Sequence, residues 1–96
     1  MIQSYGDDTT RDIHFGDNTK SARTIPQSIW PVARRKLNMI DYAKSLADLR
    51  SPGNNLEKLR GDWDGFYSIH INNQWRIVFK FWDSGSADEV QIVDYH

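Results

Sequence analysis

Asp94, Tyr95 and His96 bring a carboxylate, a phenol and an imidazole to the end of a run, Glu89 to Val93, whose alternation marks a strand. Held at a strand end, the three meet one substrate together. Arg76, on the preceding apolar run, and Arg60, in Leu59-Arg60-Gly61-Asp62, add planar donor forks that match phosphate oxygens. This set of residue types points to chemistry on a phosphodiester. Cleaving RNA without a metal needs a base for the 2'-hydroxyl, cations for the phosphorane-like transition state, and an acid for the departing 5'-oxygen. His96, an imidazole that titrates near neutrality, suits the acid. Glu57 is the candidate base, and Arg60 and Arg76 are the candidate phosphate-stabilising cations.

The elements that must position these residues are legible in the hydrophobic pattern. Ile29, Ala33, Leu37 and Ile40 share one stripe at spacings of three and four, which predicts a helix over 29–44 with Ser28 as N-cap and Pro31 in its first turn. Lys44 falls on that stripe, so the helix ends there or its stem snorkels. Leu46 to Arg50 reads as a second short helix, stopped by Ser51-Pro52-Gly53. Ahead of these, Ile2 to Tyr5 reads as a short strand, and Asp7 to His14 as a short helix with acidic residues near its start. Residues 16–28 are polar and rich in turn formers, which predicts an exposed, mobile loop.

From Leu56 onward the period becomes twofold. Strands are expected over Leu56 to Arg60, Tyr67 to Ile71, Trp75 to Phe81 and Glu89 to Val93, with Asn72-Asn73 and Asp83-Ser84-Gly85-Ser86 as hairpin loops. Trp75, Ile77, Phe79 and Phe81 share one face of their strand; Arg76, Val78 and Lys80 share the other. The order predicts an α+β domain, with a short N-terminal strand and helices packed on one face of a mainly antiparallel sheet of four to five strands. The opposite face is expected to be partly open, and Glu57, Arg60, Arg76 and the terminal trio converge there. Asp94 and Tyr95 alternate faces if the strand continues, so only one of them points the same way as His96.

The chain has 96 residues, enough for one domain near the lower size at which a core is self-sufficient. It has no cysteine, so disulfides and thiolate metal sites are excluded. The start, Met1-Ile2-Gln3-Ser4-Tyr5, lacks the features of a signal peptide, and no run has membrane-spanning length, so a cytoplasmic location is expected. Formal net charge is -1, but the charge is segregated: residues 1–20 sum to -2, 21–60 to +5 and 61–96 to -4. Arg23, Arg34, Arg35, Lys36, Lys44 and Lys58 are the candidate RNA-binding cations. A solvated helix face is an equal reading for Arg34, Arg35 and Lys36 taken alone.

Each candidate has a plainer role beside it. His96 as a last residue is subject to fraying. Arg76 has Asp94 or Glu89 available for a cross-strand ion pair, and Glu57 beside Lys58 and Arg60 is as natural a surface charge as a base. Trp75 and Phe79 belong to the core, whereas Trp82 is free to stack on a base. His14 and His70 have no metal-ligand spacing and take surface or capping roles, and no metal or cofactor is called for.

The stretches Leu56-Glu57-Lys58-Leu59-Arg60-Gly61-Asp62, Tyr67-Ser68-Ile69-His70-Ile71, Gln74-Trp75-Arg76-Ile77 and Val93-Asp94-Tyr95-His96 resemble the HigB toxins of the RelE superfamily of toxin-antitoxin systems. That resemblance implies a RelE-like fold and a ribosome-dependent endoribonuclease that cuts mRNA in the A site. It also implies a cognate HigA-type helix-turn-helix antitoxin and a toxin-antitoxin complex that is a dimer of heterodimers. The basic residue of the family's Leu-basic-Gly-Asp element matches Arg60, its central Trp-Arg matches Trp75 and Arg76, and its ending matches Asp94, Tyr95 and His96. Two departures stand out. Some HigB members have a histidine where this chain has Glu57, and such toxins are usually basic. Two other functions use the same fold or face: inhibition of DNA gyrase without catalysis, and passive RNA binding.

Overall fold

The computed structural model describes residues 1–95. Helices α1 (Asp8–Phe15) and α2 (Trp30–Tyr42) precede strands β1 (Glu57–Lys58), β2 (Tyr67–His70), β3 (Trp75–Phe81) and β4 (Ala87–Asp94), which pair antiparallel in the order β1-β2-β3-β4. This is the α+β plan that the change of period indicates. Residues 1–6 add a short parallel edge, with Ile2 bridged to Ala87 and Tyr5 to Val90. Beyond that edge, the Ile92 N–H would lack a strand partner, and it donates instead to the Thr10 hydroxyl at 2.8 Å. Thr10 is fully buried, so one helix side chain satisfies the sheet where pairing stops.

Local chemistry sets the helix limits. Asp7, in extended conformation, accepts the Thr10 N–H at 2.8 Å to start α1, and Gly16, at φ 81°, ends it in the left-handed region that a side chain disfavours. Ser28 is not the cap of α2. A 3-10 turn over Gln27–Ile29 runs directly into the helix, so Ser28 is inside that turn and α2 starts with no side-chain cap. Ala43 turns extended at ψ 134°, which takes Lys44 off the apolar stripe and leaves it exposed. The Leu46–Leu49 segment is a 3-10 turn closed by a Ser45/Asp48 capping box. Residues 16–28 bury Ala22 and Ile25, and the Trp30 indole donates to the Ile25 carbonyl at 3.0 Å.

The core is between the helices and one sheet face. Ile13, Ala33, Leu37 and Ile40 pack with Ile69, Ile77, Phe79, Val90 and Ile92. Phe79 is fully buried and contributes the largest side chain of the fully buried set. The other face is open only in part, since Val78 and Leu59 are also buried there and Lys80 lies 5.2 Å above the Phe66 ring. β1 is shorter than the sequence indicates. Pairing with β2 is confined to Glu57 and Lys58, because Arg60 leads into a 3-10 turn over Gly61–Trp63. No helix is long and apolar enough to cross a membrane.

Candidate active site

Register decides which side chains share the open face. Glu57 is opposite Ser68, Ser68 opposite Val78, and Val78 opposite Gln91, making one row across the sheet. His70, Arg76 and Val93 make the next row. β1 and β3 are separated by β2, so their backbones are about 10 Å apart. Glu57 and Arg76 close that gap by extending over the middle strand, and Arg76 Nη1 donates to Glu57 Oε2 at 3.1 Å. The small, fully buried Ser68 on β2 fits beneath two long side chains that cross its strand.

Arg76 is enclosed. Its guanidinium carbon is 4.1 Å from the Tyr95 ring centroid, a cation–π arrangement, and its side chain is only 16% exposed against 55% for Glu57. Arg76 Nε and Ser68 Oγ are buried with no hydrogen-bond partner among the described residues. A buried donor without an acceptor costs stability and is rare in folded proteins.

The remaining predicted residues are placed less uniformly. Asp94 pairs with Trp75, on the face opposite Arg76, and accepts from Gln74 Nε2 at 3.1 Å. It therefore shares no sheet face with Tyr95, as strand alternation requires. Arg60 is exposed and forms no hydrogen bond or ion pair among the described residues. The general-acid assignment falls on His96, which lies outside the described residues. No group of three His, Asp or Glu among the described residues is placed to hold a metal.

The basic cluster divides. Arg23, Arg35, Lys44 and Lys58 are exposed. Arg34 is half-buried and its Nε donates to the Ile13 carbonyl. Lys36 corrects the expectation of an RNA-docking cation: it is 6% exposed and its ammonium donates to the carbonyls of Gly53 and His70. The reason is helical geometry, since Lys36 falls between the buried Ala33, Leu37 and Ile40, so its stem runs inward and its head anchors the end of β2. Burial and the charge of Arg35 lower its pKa. The helical cations are on the core side of the sheet, across from Arg76.

Sequence reasoning gave His70 only a surface or capping role. Closing the hairpin over Asn72, Asn73 and Gln74 sets His70 opposite Arg76 on the open face, and that register was the available signal. Its pKa is lowered by burial first, then by Arg76 and Lys36, with Glu57 opposing. On the other side of β1, a cleft of about 610 Å³ is lined by Leu46, Arg50, Pro52, Asn55, Lys58 and Tyr67. Two cations, Arg50 and Lys58, flank it.

Comparison with known proteins places the chain. A family described as "RelE-like toxin of type II toxin-antitoxin system HigB" matches residues 3–96. Toxin HigB-1 of Vibrio cholerae serotype O1 is 42% identical over 74 residues, covering 76% of this chain and 77% of that protein. Endoribonuclease HigB of Proteus vulgaris is 36% identical over 61 residues, 64% of this chain and 65% of that one. Among solved structures, a YoeB-YefM complex from Staphylococcus aureus superposes with a TM-score of 0.59 at 19% identity, over 100% of this chain and 95% of that chain, a likeness of fold.

Proposed function

The chain belongs to the HigB-like family of RelE-like toxins of type II toxin-antitoxin systems, and from that premise we propose that it is an endoribonuclease that cuts mRNA on the ribosome. The observation that carries the proposal is Arg76, a guanidinium held on the open face between Glu57 and Tyr95, with a buried Nε–H that has no acceptor among the described residues. In the proposed reaction the ribose 2'-oxygen attacks the adjacent phosphorus. Its proton passes to Glu57, whose Oε1 is left for the hydroxyl while Oε2 stays on Arg76. The 2'-O–P bond forms and the P–O5' bond breaks, with His96 returning a proton to the 5'-oxygen. The products are a 2',3'-cyclic phosphate and a 5'-hydroxyl. Charge on the phosphorane falls on Arg76, and a fixed, partly desolvated guanidinium stabilises it without reorganising. Tyr95 holds the guanidinium plane, Asp94 orients the end of β4, and Arg60 contacts the RNA backbone from its exposed turn.

Arg23, Arg35, Lys44 and Lys58 supply the proposed ribosome-docking charge. A cytoplasmic location follows from the proposed ribosome-bound substrate. The proposed partner that restrains it is a HigA-type helix-turn-helix antitoxin in a dimer of heterodimers. A relative named as an endoribonuclease supports catalysis over the gyrase-inhibiting and passive RNA-binding readings. Primer extension on an mRNA translated with the purified protein, with and without ribosomes, tests the proposal. Ribosome-dependent cuts that vanish in a folded Arg76→Ala protein are expected. Intact mRNA with the folded parent protein removes the enzyme.

A further inference from the structure

We infer that His70 donates its Nε2–H to a non-bridging oxygen of the scissile phosphate, beside the Arg76 guanidinium. The inference rests on the endoribonuclease reading above and assigns that reaction a substrate contact on β2.

Three features converge on it. The first is position: His70 is half-buried at the end of β2, directly opposite Arg76 on the open face. The two non-bridging oxygens of a phosphate diverge, so donors from neighbouring strands hold them better than one guanidinium whose Nη1 is already committed to Glu57.

The second is the tautomer. Asn55 Nδ2 is 3.4 Å from His70 Nδ1. With the Asn55 amide in this orientation its N–H donates to the Nδ1 lone pair, which puts the ring proton of the neutral imidazole on Nε2. At this length the contact orients the ring more than it stabilises it. The backbone around it is well tied. His70 N–H donates to the Asn54 carbonyl at 2.7 Å, and the Lys36 ammonium bridges the carbonyls of Gly53 and His70. Asn55 itself has φ 47°, in the left-handed region that asparagine tolerates better than most residues. These contacts fix the backbone on either side of the ring, and Nε2 has no partner among the described residues.

The third is charge. Arg76 faces the ring from β3 and Lys36 approaches from α2; both disfavour imidazolium, as does burial, while Glu57 on β1 opposes them less strongly. A second proton on Nδ1 would also point at the Asn55 amide. The ring therefore stays neutral at pH 7. Its lone pair is covered by Asn55, so it serves as a donor and not as the base that takes the 2'-hydroxyl proton.

The test combines tautomer and rate. Nitrogen-15 correlation spectra of the imidazoles in the folded full chain, with His70 assigned by its loss in His70→Gln, are expected to show Nε2–H and bare Nδ1 across pH 7 to 8. An Nδ1–H tautomer or imidazolium at pH 7 overturns the inference whether or not RNA is cut. In ribosome-dependent cleavage, His70→Ala is expected to lower kcat by about a hundredfold. His70→Gln, which retains an N–H donor, is expected to remain within about fivefold of the parent with the same pH–rate inflections. Parental activity in His70→Ala, or loss of a pH inflection in His70→Gln, removes the contact while leaving the enzyme standing. A folded parent that cuts nothing removes the enzyme and the contact together.

Discussion

Glu57 and Arg76 meet at 3.1 Å although a whole strand separates their backbones. The pair is the only ion pair among the described residues that joins β1 to β3. Glu57 is more than half exposed, so the attraction contributes only about 0.2–1 kcal/mol to stability. Its larger effect is geometric, since it fixes one nitrogen of Arg76 and leaves the others aimed elsewhere.

Lysine in place of Arg76 tests that geometry. A point charge retains attraction for phosphate but loses the planar fork and the stacking on Tyr95. We expect Arg76→Lys to lower kcat by about 10²-fold, with folding stability changed by less than about 1 kcal/mol. Glu57→Gln is expected to preserve the fold and lower the single-turnover rate by about 10²–10⁴-fold. Parental rates in folded Glu57→Gln move the base elsewhere.

Thr10→Val retains shape and removes one hydroxyl. The Ile92 N–H then has no acceptor in a fully buried site, which costs about 1–3 kcal/mol. For a domain of this size, each kcal/mol lowers Tm by roughly 4–8 °C. Thermal unfolding checks the magnitude, and hydrogen exchange at the Ile92 amide checks the cause. Unchanged protection there removes the capping role assigned to Thr10.

The readable parts of the chain were those where one local rule acts alone. Trp75 to Phe81 alternates against a one-sided core, so its strand and both of its faces were legible. Ser28 misled because a side-chain cap and a preceding 3-10 turn compete for the same residues, and sequence does not rank them. Lys36 misled for a different reason: a lysine inside an apolar stripe reads as charge until its partners, two distant carbonyls, are in place. Asp94 and Tyr95 parted as alternation requires. His70 was hidden because its meaning depends on Asn55, Lys36, Arg76 and Glu57, contributed by four separate segments.

Salt dependence separates the exposed cations from the buried one. Each phosphate that a cation neutralises on single-stranded RNA contributes about 0.7 to the steepness of log affinity against log salt. Arg35→Ala and Lys58→Ala are expected to weaken ribosome binding and flatten that slope by roughly this amount each. Lys36→Met is expected to leave the slope unchanged, because the ammonium it removes faces two carbonyls. Co-sedimentation with ribosomes across a salt series measures it, and a flattened slope for Lys36→Met restores that residue to the RNA-facing set.

Alkaline stability gives two buried groups opposite signatures. Lys36 has a folded pKa below 10.5, so between its folded value and 10.5 the unfolded chain binds more protons and stability rises with pH. Tyr5 has a folded pKa raised above 10.0 by burial and by Asp41, and its hydroxyl is hydrogen-bonded to His14 Nδ1. There the folded state keeps the proton longer, so the contribution is intact below pH 10.0 and is lost as pH rises through the folded value. Urea unfolding of the parent, Lys36→Met and Tyr5→Phe from pH 8 to 11 resolves the two. Relative to the parent, Lys36→Met is expected to lose a rising component and Tyr5→Phe a falling one. Identical pH slopes for the parent and Lys36→Met would show that the unfolded and folded lysine titrate alike, contrary to its burial.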